Sequence, residues 1–303
     1  MAELGRLLTA MITPMRADGA VDFEGAQRLA RLLVANGSDG VVVAGTTGES
    51  PTLSDDEKIE LLTRVKEAIP EHDVVAGTGG NDTHHSIQLS KRAAQAGANA
   101  LLCVVPYYNK PPQEGMYQHF KAIAEESGCP LIMYNIQGRT AVNMTAQTTL
   151  RCAEIPGVIG VKEASGDIDQ MSLVCAGKPD GFQVWSGDDS FTLPLLAVGG
   201  YGVIAVTSHL AGRAMRELVG SFLRGDITTA QHIHGRLLPL IKALMTTAAN
   251  PVPLKSVLPA LGFDAGPFRL PLVPLTAPET ERVLDAVRAA AELVTFEPAA
   301  VGG

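Results

Sequence analysis

Short apolar runs rich in β-branched residues alternate along the chain with longer segments in which apolar residues recur every three or four positions. The short runs are apolar throughout instead of alternating with polar residues, a pattern typical of parallel strands that helices cover. We predict eight strands, at residues 7–13, 40–44, 74–77, 100–105, 131–135, 158–162, 183–186 and 202–206. The pattern indicates an α/β protein.

Between these runs lie segments with the period of a helix, and the clearest are residues 22–35, 55–69, 83–96 and 113–126. In the second of these the apolar residues share one predicted buried face, formed by Ile59, Leu62, Val65, Ala68 and Ile69. Ser54 is followed three residues later by Glu57, which is the spacing of a capping box. That helix should therefore begin directly after Ser54.

An open, doubly wound sheet and a closed barrel both fit such an alternation of strands and helices. Closure is favoured because there are eight strands and because side chains able to react or to bind a ligand follow nearly every strand. The sequence thus predicts a TIM (β/α)8 barrel with a C-terminal helical extension. We assign the barrel and its active site to residues 1–225, an extension packed on the barrel to 226–296, and a disordered tail to 297–303. Helices are expected in the extension at 227–247, 253–261 and 277–294.

The composition narrows the class of function. Of the 303 residues, 46% are hydrophobic, enough for a large core, which excludes disorder as the main state. The net charge is −8, so neither nucleic acid nor a membrane surface is an expected partner. One uncharged segment, 190–212, is interrupted by proline and glycine and is interpreted as a buried helix followed by a buried strand. Since the amino terminus has no secretory signal, we expect a soluble cytoplasmic protein.

Several common cofactor and metal motifs are absent from the sequence. The cysteines form no C-x-x-C pair and are interpreted as small buried hydrophobic residues: Cys103, Cys129, Cys152 and Cys175. His232 and His234 are two residues apart on a predicted helix and point to different faces, so no metal site is expected. Residues 77–81 lack the last glycine of a dinucleotide fingerprint, and no P-loop occurs. A nucleotide cofactor is therefore not supported.

The residues that end the predicted strands carry the chemistry. The second strand runs into Gly45-Thr46-Thr47-Gly48-Glu49-Ser50, where two hydroxyls and free backbone N–H groups could hold a carboxylate or phosphate. A glycine turn with a threonine cap explains the same residues equally well. The fifth strand ends in Tyr134-Asn135, and the sixth ends in Lys162.

Lys162 is the most informative residue, because an inward ammonium at the end of a core strand is expensive to desolvate. Burial lowers the pKa of a lysine, and the neutral amine is then a nucleophile that forms a Schiff base with a ketone. A rim ion pair with Glu163 or Asp167 is the alternative. Tyr134 could exchange protons with the amine, since tyrosine and lysine have similar ordinary pKa values.

Together these strand ends resemble a known family through the motifs Gly45-Thr46-Thr47-Gly48-Glu49, Pro106-Tyr107-Tyr108-Asn109-Lys110-Pro111, Tyr134-Asn135, Gly138-Arg139-Thr140, Lys162-Glu163-Ala164 and Ser186-Gly187-Asp188-Asp189. They are similar to the dihydrodipicolinate synthase/N-acetylneuraminate lyase family of Schiff-base barrels. The resemblance implies a lyase that condenses pyruvate with L-aspartate 4-semialdehyde, the first step of the diaminopimelate route to lysine. It also implies a homotetramer made of two tight dimers, and no cofactor besides the covalent lysine–pyruvate imine.

The resemblance further implies a role for each matching residue. Lys162 would form the imine, and Tyr134 would donate and accept the protons. Thr46 and the Tyr108 of a neighbouring subunit would complete a hydroxyl relay to solvent.

The two substrates would be bound by a second group of residues. Thr47 and the backbone of Ile204 would hold pyruvate, and Gly187 would contribute to substrate binding. Arg139 would bind the carboxylate of the semialdehyde through bidentate hydrogen bonds, which a lysine cannot make.

One departure from the family pattern leaves the second substrate open. Gln137 stands where the family usually has proline, so the turn is less rigid and a carboxamide could enter the second-substrate pocket. An alternative is therefore another pyruvate-dependent lyase of the family, acting on a 2-oxo, sialic or sugar acid. Such lyases usually lack an equivalent of Arg139 and often have serine at the position of Thr46, which favours the condensing enzyme. A non-catalytic barrel that binds a 2-oxo acid is a third, weaker interpretation.

The resemblance also bears on feedback by lysine. Members inhibited by lysine bind it with a histidine and a glutamate, where this chain has Lys58 and His85, although it keeps Ser50, Asn81 and Tyr107. We therefore expect weak inhibition or none.

Overall fold

The computed structural model describes residues 3–298, and its eight strands form a closed parallel barrel in chain order. The strands are β1 (Leu7–Ala10), β2 (Gly40–Val43), β3 (Asp73–Gly77), β4 (Ala100–Val104), β5 (Leu131–Asn135), β6 (Val158–Glu163), β7 (Gln183–Ser186) and β8 (Gly202–Ala205). The helices are α1 (Phe23–Ala35), α2 (Asp55–Ala68), α3 (Thr83–Gln95), α4 (Gln113–Ser127), α5 (Gln137–Thr140), α6 (Ala146–Ala153), α7 (Ile168–Gly177), α8 (Thr192–Ala197), α9 (Ser208–Leu223), α10 (Ile227–Thr246), α11 (Val252–Val257) and α12 (Ala277–Ala289). The predicted TIM barrel with a C-terminal helical segment is confirmed.

All eight predicted strands are present, and the differences lie at their ends. The prediction continued β1 to Thr13, but the strand stops at Ala10. The amide of Ile12 donates to Nε2 of His209 at 3.2 Å, which takes it out of the strand ladder. In β6 the ladder runs one residue further than predicted, because the carbonyl of Glu163 accepts from the amide of Gly187 at 2.8 Å.

Helix α2 begins where its capping box predicts. The Ser54 amide donates to the Glu57 carboxylate at 2.8 Å, and the Glu57 amide donates to Oγ of Ser54 at 3.2 Å. Of the predicted buried face, Leu62, Val65 and Ile69 are buried, whereas Ile59 and Ala68 are only half-buried. Leu61 is also buried and was not predicted. Because Leu61 and Leu62 are adjacent, the buried stripe is wider than a strict three-and-four spacing indicates.

The C-terminal helices differ from the prediction mainly in where they end. The second expected helix divides into α11 and a 3-10 turn at Leu258–Leu261. Helix α12 ends at Ala289 because Ala290 leaves the helical backbone conformation, with φ of −101° and ψ of 16°. Phe296 is buried, with its ring centre 6.2 Å from that of Phe263. Of the tail predicted to be disordered, residues 299–303 lie outside the described residues.

Two compact units are distinguished by their internal contacts. One consists of residues 1–6 and 74–205 and contains β4 to β8 and all of β3 except Asp73. Its largest buried side chain, Trp185, donates from Nε1 to the carbonyl of Gly5 at 3.1 Å. The other consists of residues 7–73 and 206–303 and contains β1, β2 and the C-terminal helices. The assignment of domains at residue 225 stays a prediction.

Two further observations bear on the sequence predictions. Within residues 3–298, no helix is both long and apolar enough to cross a membrane. The four cysteines are unbridged, with Cys103, Cys129 and Cys152 buried and Cys175 half-buried. Burial raises the pKa of the Cys103 and Cys152 thiols to about 12.

Gly160, two residues before Lys162, gives a test of the strand packing. A Cβ at this position would lie 2.3 Å from the carbonyl oxygen of Gln183 and 2.7 Å from the ring of Trp185. Because such overpacking forces the backbone to move, Gly160→Ala should lower the free energy of unfolding by about 1–3 kcal/mol. The measurement is denaturant unfolding followed by fluorescence.

Gly235→Ala is the matched control, since Gly235 lies in α10 and its Cβ would meet nothing within 4 Å. This variant should be more stable than the parent by about 0.5–1 kcal/mol, because alanine favours a helix over glycine. Equal effects of the two substitutions would show that the close approach at Gly160 does not matter.

Candidate active site

Neighbouring strands β5 and β6 bring the two main candidates together. Tyr134 and Lys162 occupy paired positions in the parallel register. The Lys162 Nζ lies 4.4 Å from the centre of the Tyr134 ring, and each residue is only 5% exposed. The predicted proximity of the amine and the phenol is therefore present within one pair of strands.

Burial is the main influence on the charge of Lys162. Loss of water lowers the pKa of its amine to about 8, with a smaller contribution in the same direction from the cation of Arg139. The carboxylate of Asp189 acts in the opposite direction and favours the ammonium. Since the pKa is close to neutrality, a substantial fraction of the amine carries a lone pair near physiological pH.

Gly187, in the loop after β7, packs directly on the stem of Lys162. A Cβ on Gly187 would lie 2.7 Å from that of Ala164 and 3.0 Å and 3.1 Å from Cγ and Cε of Lys162. A side chain at this position would collide with Ala164 and crowd the stem of Lys162. Gly187 is therefore required by the shape of the site, whatever else it binds.

Glu163 follows Lys162 but has a different set of partners, because successive residues of a strand point to opposite sides. Its carboxylate accepts from Nδ2 of Asn135 at 3.1 and 3.2 Å, from the amide of Ser165 at 2.7 Å and from Nε2 of Gln170 at 3.2 Å. Burial raises the pKa of Glu163. The other carboxylate considered, that of Asp167, caps α7. Both carboxylates thus have partners other than the amine of Lys162.

A second lysine, Lys255, is buried in the other unit and serves as an internal comparison. Its Nζ donates to Oε1 of Glu49 at 2.6 Å and to the carbonyls of Pro267 and Thr13 at 2.8 Å and 3.2 Å. These bonds use all three protons of an ammonium, so the nitrogen has no lone pair for a ketone. Of the two lysines, Lys162 is the one equipped for nucleophilic chemistry.

The turn after β2 carries Thr46 and Thr47 within the unit of residues 7–73 and 206–303. Its backbone is left-handed at Ala44 and Glu49, with φ of 52° and 57°. Thr47 is 2% exposed, and its Oγ1 accepts from Nδ2 of Asn250 at 2.9 Å. Thr46 is half-buried. The turn is thus held by side-chain contacts that a plain glycine turn does not need.

The remaining candidates lie in the unit of residues 74–205. Arg139 is exposed on the one-turn helix α5, directly after β5, and Ile204 is 1% exposed in β8. Tyr108 is 88% exposed and has a left-handed φ of 72°. The side-chain Nε2 of Gln137 donates to the carbonyl of Ser165 at 3.2 Å.

Sequence reasoning missed the roles of several residues around the site. Asp189 is 1% exposed and influences the charge of Lys162, and its signal was the Asp-Asp pair after β7. Asn135 and Glu163 were noted only as parts of motifs. Lys255 was not connected with Glu49, because 206 residues separate them. Within residues 3–298, no group of three or more histidine, cysteine, aspartate or glutamate side chains is placed to hold a metal ion.

Comparison with known proteins identifies the family. The chain matches the Dihydrodipicolinate synthetase family over residues 3–290. It is 55% identical over 287 residues to the 4-hydroxy-tetrahydrodipicolinate synthase of Moorella thermoacetica. The aligned region covers 94% of this chain and 98% of that protein. The enzyme of the same name from Symbiobacterium thermophilum is 50% identical over 295 residues, or 97% of this chain and 100% of that protein.

The same likeness is found among solved structures. The crystal structure of dihydrodipicolinate synthase from Cyanidioschyzon merolae with lysine bound has a TM-score of 0.93 and 43% identity, covering 95% of this chain and 98% of that chain. The chain belongs to the dihydrodipicolinate synthetase family.

Proposed function

We propose that this chain condenses pyruvate with L-aspartate 4-semialdehyde, the reaction of a 4-hydroxy-tetrahydrodipicolinate synthase. The observation that carries the proposal is the state of Lys162: a buried amine with a pKa of about 8, beside a tyrosine and without a carboxylate clamp like that on Lys255. The names of relatives at 50–55% identity over most of the chain favour this synthase over a sugar-acid lyase.

The chemistry at Lys162 begins with the neutral amine. Its lone pair attacks the ketone carbon of pyruvate, and loss of water gives a protonated imine. The imine withdraws electrons, so a proton leaves the methyl carbon and an enamine forms. The enamine carbon attacks the aldehyde carbon of the second substrate. The amino group of that substrate then attacks the imine carbon, which closes the ring of the product and expels the lysine amine.

The protons in these steps need a carrier. Tyr134, with its ring 4.4 Å from the amine, is proposed as donor and acceptor. Thr46 and Tyr108 are proposed to extend the relay to solvent. Because the side chain of Tyr108 is 88% exposed on its own chain, it is free to reach the site of a second copy, which supports a tight dimer and, by family resemblance, a homotetramer.

Substrate binding is proposed for a second set of groups. Thr47, Gly187 and the backbone of Ile204 would hold pyruvate, and Arg139 would bind the carboxylate of the semialdehyde. Gln137 was the reason to consider a different second substrate. Its side-chain Nε2 donates to the carbonyl of Ser165, which gives the carboxamide a local role at the start of α5. No observation therefore favours the alternative lyase.

Trapping the imine with borohydride tests the central step. Pyruvate plus borohydride should add mass irreversibly at Lys162, as located by peptide mass spectrometry. At low pyruvate the initial trapping rate should rise with pH with a midpoint near 8 and level off about one pH unit higher, because deprotonation of the amine creates the nucleophile. A midpoint near 10.4, the ordinary pKa of lysine, would contradict the buried-amine mechanism.

Two variants separate binding of pyruvate from proton transfer in that experiment. Lys162→Ala should give no adduct, and an adduct that appears instead at Lys255 or Lys110 would mean that the nucleophile is misassigned. Tyr134→Phe should still be trapped at saturating pyruvate but should lose turnover by about 100-fold or more, the usual contribution of a general acid–base group.

Arg139 tests the identity of the second substrate. Arg139→Ala should raise the KM for aspartate semialdehyde strongly and leave the KM for pyruvate nearly unchanged. Since Arg139 also lowers the pKa of Lys162, the variant's amine should titrate at higher pH. The KM values are therefore compared above pH 9, where both enzymes carry mostly neutral amine. An equal rise in the KM values for both substrates would show that Arg139 has a structural role.

Feedback by L-lysine should be weak. Lys58, half-buried beside Asp55, and the exposed His85 stand where inhibited members have histidine and glutamate. Without the carboxylate, the ammonium of the inhibitor lacks its partner, and a second cation adds repulsion. In a lysine titration at saturating pyruvate, half-inhibition should lie above about 1 mM, an affinity of about −4 kcal/mol.

The double variant Lys58→His with His85→Glu is the matched test, since it restores both expected groups. It should be inhibited at lower lysine concentrations than the parent. Half-inhibition of the parent well below a millimolar would show that the pocket lies elsewhere.

A further inference from the structure

A buried ion pair lies outside the candidate catalytic residues, in the unit of residues 7–73 and 206–303. Glu49 and Lys255 are joined at 2.6 Å, with side chains 1% and 0% exposed. The second carboxylate oxygen of Glu49 accepts from the amide of Arg269 at 3.1 Å. Both charges are therefore fully partnered although they are out of water.

The pair is attached to the turn that carries Thr46 and Thr47. Glu49 ends this turn in a left-handed conformation, with φ of 57°. A non-glycine residue adopts that conformation only when its surroundings impose it. Lys255 also donates to the carbonyl of Thr13, whose own hydroxyl donates to the carbonyl of Gly48 at 2.7 Å. The lysine thus constrains the turn both directly and through a second residue.

A separate contact reaches the same turn from the same helix region. Asn250, 8% exposed, donates from Nδ2 to Oγ1 of Thr47 at 2.9 Å. Asn250 comes two residues before α11, and Lys255 lies within that helix. This bond fixes how the hydroxyl of Thr47 is oriented, because the oxygen that accepts the amide proton must direct its own proton elsewhere.

Stability alone gives a poor reason for such a pair, because replacing a buried ion pair by apolar or neutral groups is often harmless or stabilising. Geometry gives a better one, since small displacements of groups that touch the substrate reduce rates strongly. We propose that Glu49, Lys255 and Asn250 are positioning residues: they hold the turn of residues 45–49 so that Thr46 and Thr47 present their hydroxyls in one orientation. The proposal rests on the proposed function, in which Thr46 relays protons and Thr47 binds pyruvate.

The first test neutralises the pair with Glu49→Gln and Lys255→Met together. The double variant should still be trapped at Lys162 by borohydride at saturating pyruvate, because the amine belongs to other strands. Its KM for pyruvate should rise and its kcat fall, each by about tenfold or more, while thermal unfolding stays close to that of the parent. A folded double variant with the parent's KM and kcat would overturn the proposal.

The matched control is Glu60→Gln with Arg64→Gln. This pair is also joined at 2.6 Å, but its side chains are about half exposed on α2. Neutralising it should change neither KM nor kcat. If the control loses activity as the buried pair does, loss of charge in general explains the effect and the proposal fails.

A second test does not depend on whether the charge-neutral pair folds. Asn250→Leu should raise the KM for pyruvate about tenfold in the parent but have no further effect in a Thr47→Val background, because the bond then has no acceptor. Equal effects in both backgrounds would mean that Asn250 acts through general structure, which contradicts the proposal. Failure of the parent itself to be trapped with pyruvate would instead overturn the proposed function.

Discussion

Removal of the Lys162 amine from water, near the end of β6, is the constraint to which its surroundings are adapted. An isolated ammonium is costly to bury, and here the cost appears as a pKa of about 8. Gly187 packs against the lysine stem and Tyr134 covers the nitrogen on one side. The acid of Asp189 opposes the cation of Arg139, so the amine is neither locked as an ion nor fully neutral.

A second buried lysine in the same chain has the opposite environment, one that stabilises its charge. Lys255 is held as an ammonium by one carboxylate and two carbonyls, and breaking such a pair on one side typically costs about 3–5 kcal/mol. Glu163 illustrates a third treatment, in which amide donors surround a buried acid. Burial alone therefore does not determine reactivity. What distinguishes Lys162 is the absence of saturating hydrogen bonds among its described contacts.

Local patterns explain which parts of this structure the sequence predicted. The eight strands and the capping box at Ser54 depend on neighbours within a few residues, and closure of the barrel was inferred from the number of strands; all are confirmed. Strand ends were less accurate, because an event such as the capture of the Ile12 amide by His209 joins residues far apart in the chain. The family, predicted from motifs at strand ends, is confirmed. The roles assigned to single residues stay proposals. The ion pair between Glu49 and Lys255 could not be predicted, since no local sequence pattern connects two residues so far apart in the chain.

That long tie has a consequence for the order in which the protein becomes complete during synthesis. The turn with Thr46 and Thr47 leaves the ribosome early, but its partner Lys255 follows 206 residues after Glu49. Domains generally fold as units once their chain has emerged. Until α11 has been made, Glu49 would be a lone acid beside a strained turn, better left in water than buried. Because α11 belongs to the same unit as β1 and β2, the hydroxyls of Thr46 and Thr47 are set in place only after the last part of that unit has been made.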